Sequence, residues 1–239
     1  MERWGRIDFL SYLCRGSLIK SMNINSLIQK YFADCSWKTT IDVFDSKNIF
    51  DVYKRIVEVL NHQPAIELSV LQGLSYCFYE ILDNVLTHSG KQCGTVLTCY
   101  LKEKATIRIL VADDGIGVRN SLIANTQYAN ITEQEALILC IKNGVTDGKG
   151  MGFGLYSTLR LINSVGIRFE IVSGNHSLKR TINGVEVTKN TNEWQGTLVY
   201  VEISADKEIN PNDIVENRTD CETEYNDLFF SDDDLDNLW

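Results

Sequence analysis

The apolar positions change period several times along the chain, and each change marks an element. Tyr76, Cys77, Phe78, Ile81, Leu82, Val85 and Leu86 recur at spacings of three and four, which builds one broad apolar helical face. The pattern predicts a helix over 66–89 that stops at Gly90, a residue suited to a helix end. Pro64 separates it from an earlier helix that ends near Asn61 and begins at Ser46 or Asn48, either of which is a suitable cap. A weaker helical pattern covers 17–33, and "WKTTIDVF" then alternates as a strand does. "GTVLTCYL" and "ATIRILVA" are predicted as strands of a hairpin joined by "KEK". "ITEQEALILCIKNG" places a Thr cap before a short helix, and "GKGMGFGLYSTLRLINSVG" runs from a glycine-rich loop into a helix. "IRFEIVSG" and "GTLVYVEIS" are strong strands, separated by a polar stretch read as a hairpin or a loop.

The polar positions of the 66–89 helix are less ordinary than its apolar face. Glu80, Asp83, Asn84, Thr87 and His88 share one stripe, and no Lys or Arg occurs from Ile56 to Gly90. A solvated face normally mixes acids with lysines. The stripe is therefore suited to a metal, to a proton to be moved, or to a ligand that brings its own positive ion.

Composition narrows the field. A chain of 239 residues accommodates one substantial core with appendages or two small domains, and 44 % hydrophobic with 23 % charged residues is typical of a soluble globular protein. No window approaches the ~20 apolar residues of a membrane span, and the first residues lack a signal peptide's apolar centre. No membrane association and a cytoplasmic location are expected. Cys14, Cys35, Cys77, Cys93, Cys99, Cys140 and Cys221 are scattered without a C-x-x-C pair, so reduced, packed thiols are expected and structural zinc is not. The net charge of −9 is concentrated from Asp206 onward, where twelve acidic residues face Lys207 and Arg218. The remaining body is close to neutral, which gives nucleic-acid binding no electrostatic support.

Two further stretches carry chemistry. In "RILVADDGIGV" a buried strand runs into Asp113, whose carboxylate can accept a hydrogen bond from an exocyclic amine, and Gly115 and Gly117 let the backbone pass close to a ligand. A simple D-G turn is the alternative reading. In "GKGMGFGL" four glycines at alternate positions precede a helix, whose N-terminal N–H groups can hold phosphate oxygens. The loop comes too late in the chain for a dinucleotide fold, and it is not a Walker loop.

Taken in order, E-x-x-D-N, D-x-G-x-G and G-x-G-x-G-L, with a closing "GT" strand, resemble the N, G1 and G2 boxes of the GHKL ATPase superfamily, which includes gyrase, the ATP-dependent heat-shock chaperone, histidine kinases and mismatch-repair ATPases. The resemblance spans about 50–204. It implies an α+β two-layer sandwich of Bergerat type, with a mixed, largely antiparallel sheet and helices on one face. It also implies an N-terminal extension over 1–45, an ATP-binding domain over 46–205 with a lid at about 118–148, and an acidic tail over 206–239, for which disorder is expected.

By position, the resemblance makes Glu80 the general base and Asn84 the ligand of the Mg²⁺ ion bridging the phosphates. Asp113 becomes the adenine-reading residue, with Gly115 and Gly117 in the pocket wall, and Gly150, Gly152, Gly154 and Leu155 form the phosphate-facing turn. His88 and Lys149 either approach phosphate or serve as a helix-end cap and a solvated loop lysine. Asp83 and Asp114 flank the matched positions. His62 lacks the context of a phospho-accepting histidine, and His176 reads as a surface residue.

The expected function is a Mg-ATP-binding ATPase whose lid state regulates a protein partner. The alternatives are a serine/threonine kinase similar to the anti-sigma-factor kinases and an ATP-sensing interaction protein without useful turnover. A homodimer is also compatible with the resemblance. In the tail, acidic residues interleaved with Tyr225, Leu228, Phe229, Phe230, Leu235, Leu238 and Trp239 read as a docking peptide for the partner, with solubilisation and self-docking as alternatives.

Overall fold

A computed structural model describes residues 24–149, 152, 154–181, 183–210 and 212–215. The chain begins with α1 (Ile24–Tyr31), β1 (Thr40–Asp45), α2 (Ile49–Asn61) and α3 (Leu68–His88). The hairpin β2 (Cys93–Leu101) and β3 (Thr106–Ala112) follows, then the short helices α4 (Gly117–Leu122) and α5 (Glu133–Leu139). The chain continues with α6 (Gly154–Val165), the strands β4 (Gly166–Thr181) and β5 (Gly184–Ser204), and α7 (Asn212–Val215).

Among the described residues the strands form one five-stranded sheet in the order β1-β2-β3-β5-β4, antiparallel throughout. This is the α+β two-layer sandwich that the resemblance implies. Because the side-chain period of a strand is two, Ile107, Ile109 and Val111 of β3 point to one face and Leu110 and Ala112 to the other. The first set packs under α2, α3 and α6, with Val52, Ile56, Phe78, Leu82, Leu161 and Ile162 in the same core. Insertion of β5 between β3 and β4 brings the "GT" in its middle, Gly196 and Thr197, beside the end of β3.

The opposite face is also covered, here by the segment around α1. Leu27, Tyr31, Phe32 and Cys35 pack on Leu97, Leu110, Ala112, Leu198 and Tyr200. Burial on both faces explains why every residue of β3 is buried and why Arg108, within it, must be paired. Arg108 donates to Asp34 and, at 3.1 Å, to Glu202. On the same face Glu170, 1 % exposed, accepts from Arg168 at 2.8 Å and Lys30 at 3.2 Å. Burial alone would raise its pKa, but these cations outweigh burial and hold the carboxyl below its usual range.

Local chemistry explains several boundaries. Asn48 precedes α2 without capping it; its side-chain oxygen accepts from the Asp45 N–H at 2.7 Å and its amide donates to the Val43 carbonyl at 3.2 Å, which ties the end of β1 to the helix. Thr132 and Glu135 form a complete capping box at α5. The polar stretch between the two strong strands is a hairpin, closed at Thr181↔Gly184 and bent by irregularities near Gly174.

Two segments placed outside the domain in the sequence reading pack against it. Within 1–45, β1 is an edge strand of the sheet, paired with β2. Within 206–239, Ile214 is 1 % exposed, and Ile209 donates its N–H to Ser69 Oγ at 3.0 Å, because both isoleucines bring apolar side chains to Gly73 of α3. Residues 1–23 and 216–239, with the predicted docking residues of the tail, lie outside the described residues.

Phe32 tests the cover over the second face, since it is fully buried and meets the Tyr200 ring edge-on at 6.1 Å. Phe32→Ala should cost about 3 kcal/mol of unfolding free energy in a urea titration; a loss below about 1 kcal/mol would show that the cover contributes little.

Candidate functional site

α3 serves two purposes. Val70, Leu74, Phe78, Leu82 and Val85 bury its apolar face in the core, while Glu80, Asn84 and His88, each one turn from the next, remain only partly buried. The predicted stripe divides in two. Asp83 is exposed and accepts from Thr87 Oγ1 at 3.2 Å, so these two lie beside the other line.

The start of α6 lies against the Glu80 line. A Cβ built on Gly154 would stand 3.0 Å from Glu80 Oε2 and 3.1 Å from Asn84 Nδ2. A larger residue there would displace both side chains. The free N–H groups of the first turn of α6 thus open beside a carboxylate and an amide. Two anions, Glu80 and a phosphate, would repel at this spot unless a cation lay between them. The Asn84 side-chain oxygen is a hard, neutral donor of the kind Mg²⁺ accepts alongside phosphate oxygens.

Asp113 lies at the end of β3 and is 2 % exposed. Its Oδ1 accepts from the Gly115 N–H at 2.8 Å and the Thr197 N–H at 3.2 Å, and its own N–H donates to the Thr197 carbonyl at 2.9 Å. Among the described residues both of these donors reach Oδ1 and none reaches Oδ2. Two close approaches require glycine. A Cβ on Gly115 would lie 2.2 Å from the Ser89 carbonyl, and one on Gly196, at φ +90, would lie 2.3 Å from the Asp113 carbonyl. The neighbouring Asp114 instead reaches Lys91 Nζ at 3.4 Å. Gly117 opens α4, and the next N–H, from Val118, donates to Ser173 Oγ at 3.0 Å.

The glycine-rich loop folds back on the segment before it. Gly144 donates its N–H to the Gly152 carbonyl at 3.2 Å, and Gly152, at φ +76, rests on Val145. Leu155 is half-buried against the core, and Lys149 is exposed, with its backbone N–H bound to Asp147 Oδ1 at 3.0 Å. Gly150 lies outside the described residues. His88 pairs through Nδ1 with Asp147 Oδ2 at 2.9 Å. His62 bonds to its own helix through the Glu58 carbonyl at 2.6 Å, and His176 pairs with Glu133 at 2.8 Å.

The structure therefore brings Glu80, Asn84, His88 and Gly154 together and sets Asp113 with Gly115 on the adjoining strand ends. Four participants were not singled out from the sequence: Ser89, Asp147, Ser173 and Gly196. Ser89 ties the G1 stretch to α3 by accepting from the Ile116 N–H at 2.9 Å. Of these, only Gly196 left a sequence signal, as the first residue of the "GT" strand.

Burial pushes the Asp113 carboxyl up to about 6, against the two backbone N–H bonds, which favour the anion. A pKa raised on folding adds stability below the unfolded value near 3.8 that is lost as pH rises through about 6. Asp113→Asn retains the accepting oxygen without the buried charge. Its stability relative to the parent should therefore rise between pH 4 and pH 7, by about 1 to 3 kcal/mol, in paired urea titrations. A difference that stays flat across this range would contradict the assigned cause.

The family model for histidine kinase-, DNA gyrase B- and HSP90-like ATPases matches residues 70–207, more than half of the chain, and the match contains all three motifs. No curated protein sequence matches the chain. With a two-layer sandwich, an antiparallel sheet and a site built where α3, the end of β3 and the start of α6 meet, the chain belongs to the histidine kinase-, DNA gyrase B- and HSP90-like ATPases, a family of ATP-binding ATPases and kinases.

Proposed function

We propose that the protein is a Mg-ATP-dependent ATPase module whose lid, residues 118–148, changes state with the bound nucleotide and so regulates a protein partner. The observation that carries this reading is the placement of Glu80 and Asn84 directly against the N-terminus of α6. Asp113 Oδ2 accepts from the exocyclic amine of adenine, and its protein-bound Oδ1 keeps the carboxylate from rotating. The first turn of α6 binds phosphate oxygens through its N–H groups. Asn84 would hold a Mg²⁺ ion, which would supply the positive charge that offsets the phosphates and Glu80. Glu80 orients a water and takes its proton as the oxygen attacks the terminal phosphorus.

The lid reading is supported by Gly144 and Gly148. Both have positive φ, +72 and +98, a conformation that glycine adopts without strain, and such residues are suited to hinge positions. Five described cysteines are free thiols, which fits a reducing, cytoplasmic setting. The acidic, aromatic-rich residues beyond Val215 supply a docking peptide for the partner.

Glu80→Ala should leave ATP binding near the parent level while lowering turnover by about 100-fold or more, whereas Asn84→Ala should weaken binding only when Mg²⁺ is present. Asp113→Ala should abolish measurable ATP binding in calorimetry. Parent-like turnover in Glu80→Ala would remove the base assignment. ³²P appearing on a protein hydroxyl, instead of as free phosphate, would make the chain a kinase.

Because Ile214 belongs to the core, the informative truncation ends at Val215. That chain should bind ATP normally and lose co-purification with the partner. Undiminished, salt-insensitive capture would show that the tail is not the docking element.

A further inference from the structure

Asp147 is a buried carboxylate that the proposed chemistry does not use, yet it joins three elements that carry the motifs. The residue is 8 % exposed. Its Oδ2 pairs with His88 Nδ1 at 2.9 Å and accepts from Ser121 Oγ at 2.7 Å, and its Oδ1 accepts from the Lys149 N–H at 3.0 Å. His88 lies one turn beyond Asn84 on α3, Ser121 is in α4 just after the Asp113 loop, and Lys149 opens the glycine-rich loop. A second bond reinforces the junction: Asn125 Nδ2 donates to the Thr146 carbonyl at 3.1 Å.

Two physical consequences follow. Burial would raise the Asp147 carboxyl, but its three partners outweigh burial and keep it ionised below the usual range. A buried anion with all its bonds made is costly to pull apart, so the three elements move together or the whole junction opens.

We propose that Asp147 is a positioning residue for nucleotide binding: it fixes the glycine-rich loop and α4 against the end of α3 so that the phosphate-binding turn is preformed. The role rests on the ATP reading above. Asp147 touches no nucleotide, and its effect is carried through the positions of the α6 N-terminus and the Asp113 loop. His88 acts on the nucleotide through the same junction. Its ring is committed to Asp147 through Nδ1, which sets which ring nitrogen faces away from the junction.

The test combines calorimetry, steady-state kinetics and amide exchange on the full chain. Asp147→Ala should weaken ATP binding by about 10-fold and raise KM in proportion, with kcat at saturation within about 2-fold of the parent, because Glu80 and Asn84 are undisturbed. Without nucleotide, exchange at the Lys149 amide should accelerate by at least about 10-fold while α3 core amides keep parent rates. Ser121→Ala, which removes one donor and leaves the His88 hydrogen bond, should weaken binding by about 3-fold and serves if Asp147→Ala does not fold. His88→Ala added to Asp147→Ala should weaken binding no further, since Asp147→Ala already removes the bond to His88.

A parent protein that binds no ATP overturns the site reading and this role with it. A parent that binds ATP, with undiminished affinity in Asp147→Ala and Ser121→Ala, overturns the positioning role alone. Parent-like exchange at Lys149 in Asp147→Ala, or additive losses with His88→Ala, also overturns it.

Discussion

A carboxylate withdrawn from water has to be met by donors, and at Asp113 they come from the backbone of two different segments. The Gly115 N–H comes from the turn after β3, and the Thr197 N–H from β5 just before its stretch paired with β3. For both to reach one oxygen, β5 must lie beside β3, and no side chain can intervene at Gly115 or Gly196. The strand order, the two glycines and the orientation of the remaining oxygen thus form one linked arrangement. The same burial leaves the anion poorly solvated, so the fold holds a carboxylate at a cost to its own stability.

α3 is the second shared element. Its apolar face anchors the core beneath the sheet, and its polar line presents Glu80, Asn84 and His88 at one-turn intervals. A helix can hold a carboxylate and an amide in fixed register because its opposite side is packed so thoroughly. Site geometry and core stability are therefore coupled, and substitutions on the buried face of α3 would act on both.

The outer face of the sheet follows a different logic. Its cover is short and contributes one small apolar cluster together with buried ion pairs around Arg108 and Glu170. Arg168 lies 5.1 Å from the ring centres of both Tyr31 and Tyr200, so the charged and aromatic groups share one surface. Such pairs confer register more than net stability. Arg108 with Asp34, and Glu170 with Lys30, tie the segment around α1 to the strands.

The local periodicities of the sequence were sufficient for most elements. α2, α3, the β2–β3 hairpin and α6 lie close to the spans their periodicities predict, since an apolar stripe or alternation reports which face of an element is buried. Glu80, Asn84, Asp113 and Gly154 were legible for a related reason: their spacing within each motif is itself a geometric statement, one helical turn or one tight bend. Other features were settled only by long-range packing. Asn48 precedes α2, as expected of a cap, yet its side chain binds β1, because an amide can serve either end of a short link. Arg108 lies within the buried strand β3, and only the packing of the segment around α1 supplies its partner Asp34. Asp147, an ordinary loop aspartate in the sequence, becomes a buried junction because His88 lies 59 residues and Ser121 26 residues away along the chain. Sequence determines what each segment can bury and which groups it carries, whereas contacts between segments depend on how the chain is threaded, and in this protein that threading decides which of its many polar side chains face the site.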